Sequence, residues 1–387
     1  MKRLLFIFVC LLSITFNACQ EATPYSEYVT INEDKVIPFN LEDNITTQPK
    51  YSDIYKDVSY ILLDNRDEAL FSDACSLLFT DQEELIVLDR IGNKILRFDA
   101  NGLFLNTIGI RGRAENEYLE ARNICYDEYN RWVLINDNYK QCILCYTLNG
   151  EYVKKIPIGH YINGFCVLDK NYLVCYVDYW HEKNNSARKN NLTVIDHKGN
   201  VVNTYFRNKK DFESSDAYVF LSDGQDAFFF PPQSTTLFRL QMDEAIPYCF
   251  MQYEPHIDAI HQDSDKISLP LYTVNCRNNY ICQIGLNEEI LWGSLRKEGR
   301  YYDFFVNRKK GQPFLFFQRK DLVNDMLGKV SKQIVCHGYK GSHYNLLYPE
   351  NFQEVLDTRL LVSTDENKLI ERCAKNKNYI IQKCNLK

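Results

Sequence analysis

LIVLDRIGNKILRFDANGLFLNTIGI, residues 85–110, lies over VLINDNYKQCILCYTLNGEYVKKIPI, residues 133–158, at a shift of 48. Asp89 falls on Asp137, Ile95 on Ile143, Leu96 on Leu144 and Phe98 on Tyr146. Asn101-Gly102 falls on Asn149-Gly150, Phe104 on Tyr152, Leu105 on Val153 and Ile108 on Ile156. A third copy, LTVIDHKGNVVNTY (192–205), comes 49 residues later and sets Gly199 on Gly150. Its upstream half, NYLVCYVD (171–178), is separated from it by an inserted loop, Tyr179–Asn191.

Each copy carries the same physics. An apolar strand ends at Asp, a second strand such as ILRFD runs to Asn-Gly or Lys-Gly, and a third such as LFLNTI follows. Asn-Gly between apolar runs marks a hairpin, because both residues tolerate the positive φ of a tight turn. Three or four antiparallel strands repeated at this period describe a propeller blade, which buries its faces only against neighbouring blades. A β-sandwich has no reason to repeat a whole unit. The span from Tyr51 to about Ser363 holds six to seven such units, and the Tyr179–Asn191 insertion brings the count to six. The expected fold is all-β, a six-bladed β-propeller of antiparallel four-stranded blades.

Composition agrees. The 27 Tyr and 23 Phe favour strands, where flat rings fit a half-buried pleated surface. The later chain keeps this character without the clean repeat. TTLFRLQMDEAIPYCFMQY (235–253) reads as a hairpin, and 280–295 and 300–317 read as strands joined by turns. Helical spacing is confined to 351–360 and to a short C-terminal segment, 366–376. A net charge of −6 argues against nucleic acid as a partner. The clusters Lys209-Lys210 and Arg308-Lys309-Lys310 read as solvated turns.

The first eighteen residues read as a lipoprotein signal peptide. Lys2 and Arg3 precede an apolar stretch, Leu4–Ile14, too short for a comfortable membrane span. Phe16-Asn17-Ala18-Cys19 then resembles a bacterial lipobox with Phe in place of the usual Leu, making Cys19 the lipidation site. Residues 19–50 read as a tether and first-strand region, and 51–387 as the propeller. Twelve cysteines remain after Cys10 and Cys19. They sit among Val, Ile, Leu and Tyr and read as small strand hydrophobes. Cys142 and Cys145 form a C-x-x-C, but spacing of three on a strand puts them on opposite faces.

Several segments together resemble the lipid-anchored six-bladed β-propeller proteins of Bacteroidetes-type envelopes, whose repeats are NHL-like. DVSYILLDNRDEALFSDACSLL (57–78) is similar to that family's opening strand, and KILRFDANGLFLNTIG (94–109) to its central strand pair. IRGRAENEY (110–118) is similar to its Gly-rich loop, with Ala114-Glu115-Asn116 where the family tends to Gly-Pro-Gly. LFRLQMDEAIPYCFMQY (237–253) matches a later segment. The resemblance implies a cell-envelope address: outer membrane, periplasmic or surface side.

The loop Ile108–Ala121 concentrates the polar chemistry. It is no P-loop, because Gly109 and Gly112 are too close and the Lys-Ser/Thr is missing. Arg111, Arg113, Glu115, Glu117 and Tyr118 are the candidate ligand-binding residues, on a blade-to-blade connection expected to approach the axis. No histidine pair has metal-ligand spacing; His256 and His261 lie five apart beside several acids. Neither a metal nor a cofactor is expected. Asp89, Asp137 and Asp178, each ending a strand, read as turn residues that bond their own backbone. The functional expectation is a lipid-anchored extracytoplasmic module that binds a ligand or a protein: a glycan, a peptide or another envelope protein. The alternative is a propeller-type lyase or hydrolase acting in the central channel.

Overall fold

The computed structural model describes residues 28–32, 35–38, 45–72, 74–177, 190–207, 220–223, 226–231, 234–252, 261–263, 266–270, 279–287, 289–323, 325–326, 337–339, 341–347 and 379–387. The signal segment with Cys19, Asp178, His256 and both helical candidates lie outside these residues. Three strands precede the first complete blade: β1 (Tyr28–Asn32), β2 (Val36–Pro38) and β3 (Tyr55–Leu62). Blade 1 is β4 (Ala74–Phe79), β5 (Leu85–Asp89), β6 (Lys94–Phe98) and β7 (Phe104–Thr107). Blade 2 is β8 (Asn123–Asp127), β9 (Trp132–Asp137), β10 (Cys142–Thr147) and β11 (Tyr152–Pro157). Blade 3 is β12 (Gly164–Val167), β13 (Tyr172–Tyr176), β14 (Asn190–Asp196) and β15 (Val201–Arg207).

Blade 4 is β16 (Phe220–Asp223), β17 (Asp226–Phe229), β18 (Thr236–Leu240) and β19 (Ala245–Gln252), with β2 added parallel to β19 as a fifth strand. After a small sheet of β1, β21 (Lys266–Pro270) and β20 (His261–Asp263) comes blade 5. It is β22 (Asn279–Leu286), β23 (Ile290–Lys297), β24 (Arg300–Asn307) and β25 (Gln312–Gln318). Blade 6 is β26 (His337–Tyr339), β27 (Ser342–Leu347) and β28 (Ile380–Leu386), completed by β3 from the N-terminal side. The first strands neighbour one another in the cycle β4, β8, β12, β16, β22, β26 and back to β4. The molecule is a six-bladed β-propeller.

The core is six layers, one between each pair of blades. Residues alternate across each inner strand, so β10 sends Cys142, Leu144 and Tyr146 toward blade 1 and Ile143 and Cys145 toward blade 3. The C-x-x-C pair is therefore split between two core layers. All seven cysteines whose side chains are described are free thiols, six of them buried. Burying each such aliphatic or aromatic side chain contributes about 1.5–3 kcal/mol.

The turn between the third and fourth strands repeats in detail. Gly102, Gly150 and Gly199 take φ of 87°, 86° and 84°. Asn101 and Asn149 stay out of the left-handed region, unlike the two-residue turn expected from Asn-Gly. Gly102 and Gly150 instead donate to the carbonyls of Asp99 and Thr147 three residues back, and the ladder slips at Arg97/Phe98 and Cys145/Tyr146. This is a turn followed by a glycine bulge. The tight two-residue turn occurs in blade 5, where Glu298 and Gly299 both have positive φ between paired Lys297 and Arg300. Each bulge glycine also presses on the last strand of the preceding blade. A Cβ on Gly150 would lie 2.6 Å from the Thr107 carbonyl oxygen, and Gly102 and Gly199 meet Leu62 and Pro157 in the same way.

Candidate functional site

Strand direction alternates within a blade, so second-to-third-strand turns and blade-to-blade connections share one face, here the upper face. The segment Ile108–Arg122 joins β7 to β8 on that face. Ile108 and Tyr118 are buried in the layer between blades 1 and 2 and pin both ends. A Cβ on Gly109 would lie 2.9 Å from the Tyr146 ring, so this position needs its glycine as well as its φ of 63°. Between the pins the chain folds on itself. The Tyr118 N–H donates to the Ile110 carbonyl (3.1 Å) and the Gly112 N–H to the Tyr118 carbonyl (2.9 Å).

Six of the loop's amides have acceptors within the loop or in the turns beside it. Glu117 N–H donates to the Ala114 carbonyl, and Ala114 N–H donates to the Glu117 carboxylate at 2.9 Å. Leu119 N–H donates to the Asp137 carboxylate at 2.7 Å, and Ala121 N–H to the Asn93 side chain at 2.9 Å. A phosphate cradle needs free, convergent N–H groups. These six donors, on Gly112, Ala114, Glu117, Tyr118, Leu119 and Ala121, already have acceptors.

Neighbouring turns hold the loop from both sides. Lys140 places its ammonium 2.5 Å from the carbonyls of both Ala114 and Glu117, and the Tyr146 hydroxyl donates to the Asn116 carbonyl at 2.8 Å. On the blade 1 side, Asn93 donates to the Leu119 carbonyl at 2.9 Å. Asp89 and Asp137 act alike. Each accepts the N–H three residues ahead in its own turn, and each also accepts from the incoming connection, Ser72 for Asp89 and Leu119 for Asp137. The turn reading of these aspartates thus gains a second element, a clamp between turn and connection.

The five candidate residues separate. Tyr118 is 1% exposed, and burial pushes its hydroxyl pKa up to about 12 against the opposing pull of nearby Arg111. Glu117 spends its carboxylate on the loop. Glu115 reaches Lys155 on β11, the outermost strand of blade 2, at 3.1 Å, in a solvated pair that also raises the lysine pKa. The loop therefore leans toward the rim of blade 2 at this point. Arg111 and Arg113 are exposed, and their guanidinium groups have neither hydrogen bond nor ion pair among the described residues.

Sequence reasoning passed over the residues that flank this loop. Arg90 and Ile91 cap the β5–β6 turn, and Tyr139 caps the β9–β10 turn. Ile91 and Tyr139 stand 48 residues apart, so the repeat itself carried the signal. Among the described residues no group of three His, Cys, Asp or Glu side chains is arranged to hold a metal ion, and no helix is long and apolar enough to cross a membrane.

Known structures share this architecture. A Bacteroides fragilis protein described as exported superposes with a TM-score of 0.71 at 16% identity, covering 91% of this chain and 99% of its own. A duf4221 family member from Bacteroides vulgatus superposes at 0.51 and 11% identity, covering 86% and 97%. At such identities the likeness is one of fold. Among curated proteins none matches the chain. A family model, however, spans residues 35–384, from just before β2 into β28, and so takes in strands of all six blades. The chain belongs to the family described as Domain of unknown function (DUF4934).

Proposed function

We propose that the protein is a lipid-anchored module of the cell envelope, built from NHL-like repeats and held by acylated Cys19, whose upper face binds a ligand or a protein. One observation carries the reading. On a loop where six amides and the Glu115 and Glu117 carboxylates already have partners, Arg111 and Arg113 are left facing solvent. Loops on a rigid scaffold are where recognition residues collect, and free guanidinium groups are suited to carboxylate, phosphate or sulfate partners. The lipobox-like Cys19 and the fold shared with a Bacteroides protein described as exported support the address. Several acyl chains, at about 0.8 kcal/mol per buried methylene, anchor such a protein durably.

Two measurements test this. Cys19→Ala shifts the protein from the membrane to the soluble fraction, and unchanged fractionation removes the anchor. A photo-crosslinking residue at Ala114, whose side chain is exposed on the loop, yields a discrete adduct in intact cells that Arg111→Glu abolishes. An identical adduct pattern from a control position at Val202, on β15 of blade 3, removes the binding face.

A further inference from the structure

We propose that the upper face over blades 1 and 2 docks an acidic polypeptide segment that carries apolar side chains, an inference that rests on the binding-module reading above. Ile91, at the tip of the β5–β6 turn, is 71% exposed, and Tyr139, at the tip of the β9–β10 turn, is 74% exposed. Ile110, where the connecting loop leaves its buried anchor, is 68% exposed. Asn93 ties the loop to the first turn and Lys140 ties it to the second, so the loop and the two turns that carry these three side chains form one connected surface. One exposed isoleucine is ordinary; three large apolar groups along one strip mark a contact surface.

The charge on this strip is equally specific. Arg90, Arg111 and Arg113 have no hydrogen bond or ion pair to their guanidinium groups among the described residues. Of the nearby carboxylates, Asp89 and Asp137 are held by backbone amides, Glu117 by its own loop and Glu115 by Lys155, which leaves Glu120 beside the three arginines. Unpaired guanidinium groups thus outnumber unpaired carboxylates on this strip, on a chain of net charge −6. Arginine and tyrosine are enriched at the energetic centres of protein interfaces.

The occupant follows from satisfying both halves at once. A sulfated or carboxylated glycan neutralises the arginines but leaves Ile91 and Ile110 in water. An anionic bilayer would have to meet this strip while the N-terminal segment, which leads to the anchor, is held by β1 and β2 against blade 4, across the ring from blade 1. An extended acidic segment places carboxylates on the arginines and apolar side chains against Ile91, Ile110 and Tyr139.

The test uses the full-length protein in detergent and four probes: a random glutamate–tyrosine copolymer, polyglutamate, dextran sulfate and phosphatidylglycerol vesicles. In about 150 mM salt, where solvated charges are well screened, the copolymer binds at least about tenfold tighter than polyglutamate, a difference of about 1.4 kcal/mol. Ile91→Ser with Tyr139→Ser brings the two polymers level. Arg111→Glu with Arg113→Glu abolishes both, with melting temperatures unchanged because all four side chains are exposed. If polyglutamate or dextran sulfate binds as tightly as the copolymer and the serine variant changes nothing, the anion-binding face stands and the polypeptide is overturned. Preference for the vesicles overturns it in favour of a membrane. Copolymer binding that survives the glutamate variant, or no binding of any probe, overturns the proposal together with the binding face beneath it.

Discussion

Gly150 and Gly159 separate two costs that are usually confounded. Both have positive φ, 86° and 73°, but a side chain on Gly150 meets the Thr107 carbonyl whereas one on Gly159 meets nothing within 4 Å. Gly159→Ala should cost about 1 kcal/mol from backbone strain alone, and Gly150→Ala about 2–4 kcal/mol because blade 1 must also move. Urea denaturation of both variants measures the difference, and equal costs would dissolve the seam between blades. His343, on β27, offers a second residue-scale test. Its Nδ1 lies 3.0 Å from the Tyr55 hydroxyl, its ring packs against Trp292 with centroids 4.4 Å apart, and its Nε2 has no partner among the described residues. Burial holds its pKa down to about 3. The unfolded chain takes up this proton near pH 6.5 while the fold refuses it until about pH 3. Stability is therefore full above pH 6.5 and falls as pH drops through that window, by up to about 1.4 kcal/mol per pH unit from this group. Urea midpoints at pH 7 and pH 5 should show that slope. The double variant His343→Phe with Tyr55→Phe, which leaves no unpaired hydroxyl, should flatten it.

At the scale of strands and turns, the C-x-x-C of β10 gives an expectation opposite to redox chemistry. Burial pushes the Cys142 and Cys145 thiols up to about 11 and 12, and they point into different core layers. Alkylation of the folded protein at pH 8, followed by peptide mapping, should leave both unmodified, and mild oxidation should not join them; labelling of either before unfolding would contradict the burial. What the sequence revealed here follows from where its repeat is spelled out. Blades 1 to 3 share a 48-residue alphabet, so their strands and turn glycines, and Asp89 and Asp137 as turn residues, were readable. Backbone equivalences written in different residues were not. Glu83 and Arg131 share a left-handed conformation at the same repeat position, as do Asn93 and Gln141, with no shared side chain to announce it. In the loop the residue types were visible but their division of labour was not. Glu117 turns inward and Arg113 outward because of the fold of the loop backbone, which four alternating charges do not encode. The added strand β2 was hidden for another reason, since its partner β19 lies more than two hundred residues further along the chain.

Across the whole molecule, the N-terminal segment runs along the rim of one half of the ring. β2 borders blade 4, Thr46 exchanges hydrogen bonds with Phe316 on the outer strand of blade 5, and β3 completes blade 6. These contacts differ in kind. β2 extends a blade that already has four strands, whereas β3 supplies the fourth strand of a blade that otherwise has three. Removing residues through Pro38 should lower the melting temperature by a few degrees and keep a single cooperative transition. Removing residues through Leu62 should abolish that transition, because a row of backbone donors and acceptors on β28 loses its partners. Differential scanning calorimetry of the two truncations distinguishes them.

The pairing of β3 with β28 also fixes an order in time. A chain made from its N-terminus produces Leu62 early, yet the residue opposite it is Ile380, more than three hundred residues further along. Until β28 is made β3 has no native partner, and five blades can assemble only as an open arc with an uncovered apolar face at each end. Contacts this distant in sequence make closure slow, because a long loop must be ordered before they reward it. A ring latched by this pair therefore stays open until β28 has been made, which leaves the polypeptide threadable up to that point.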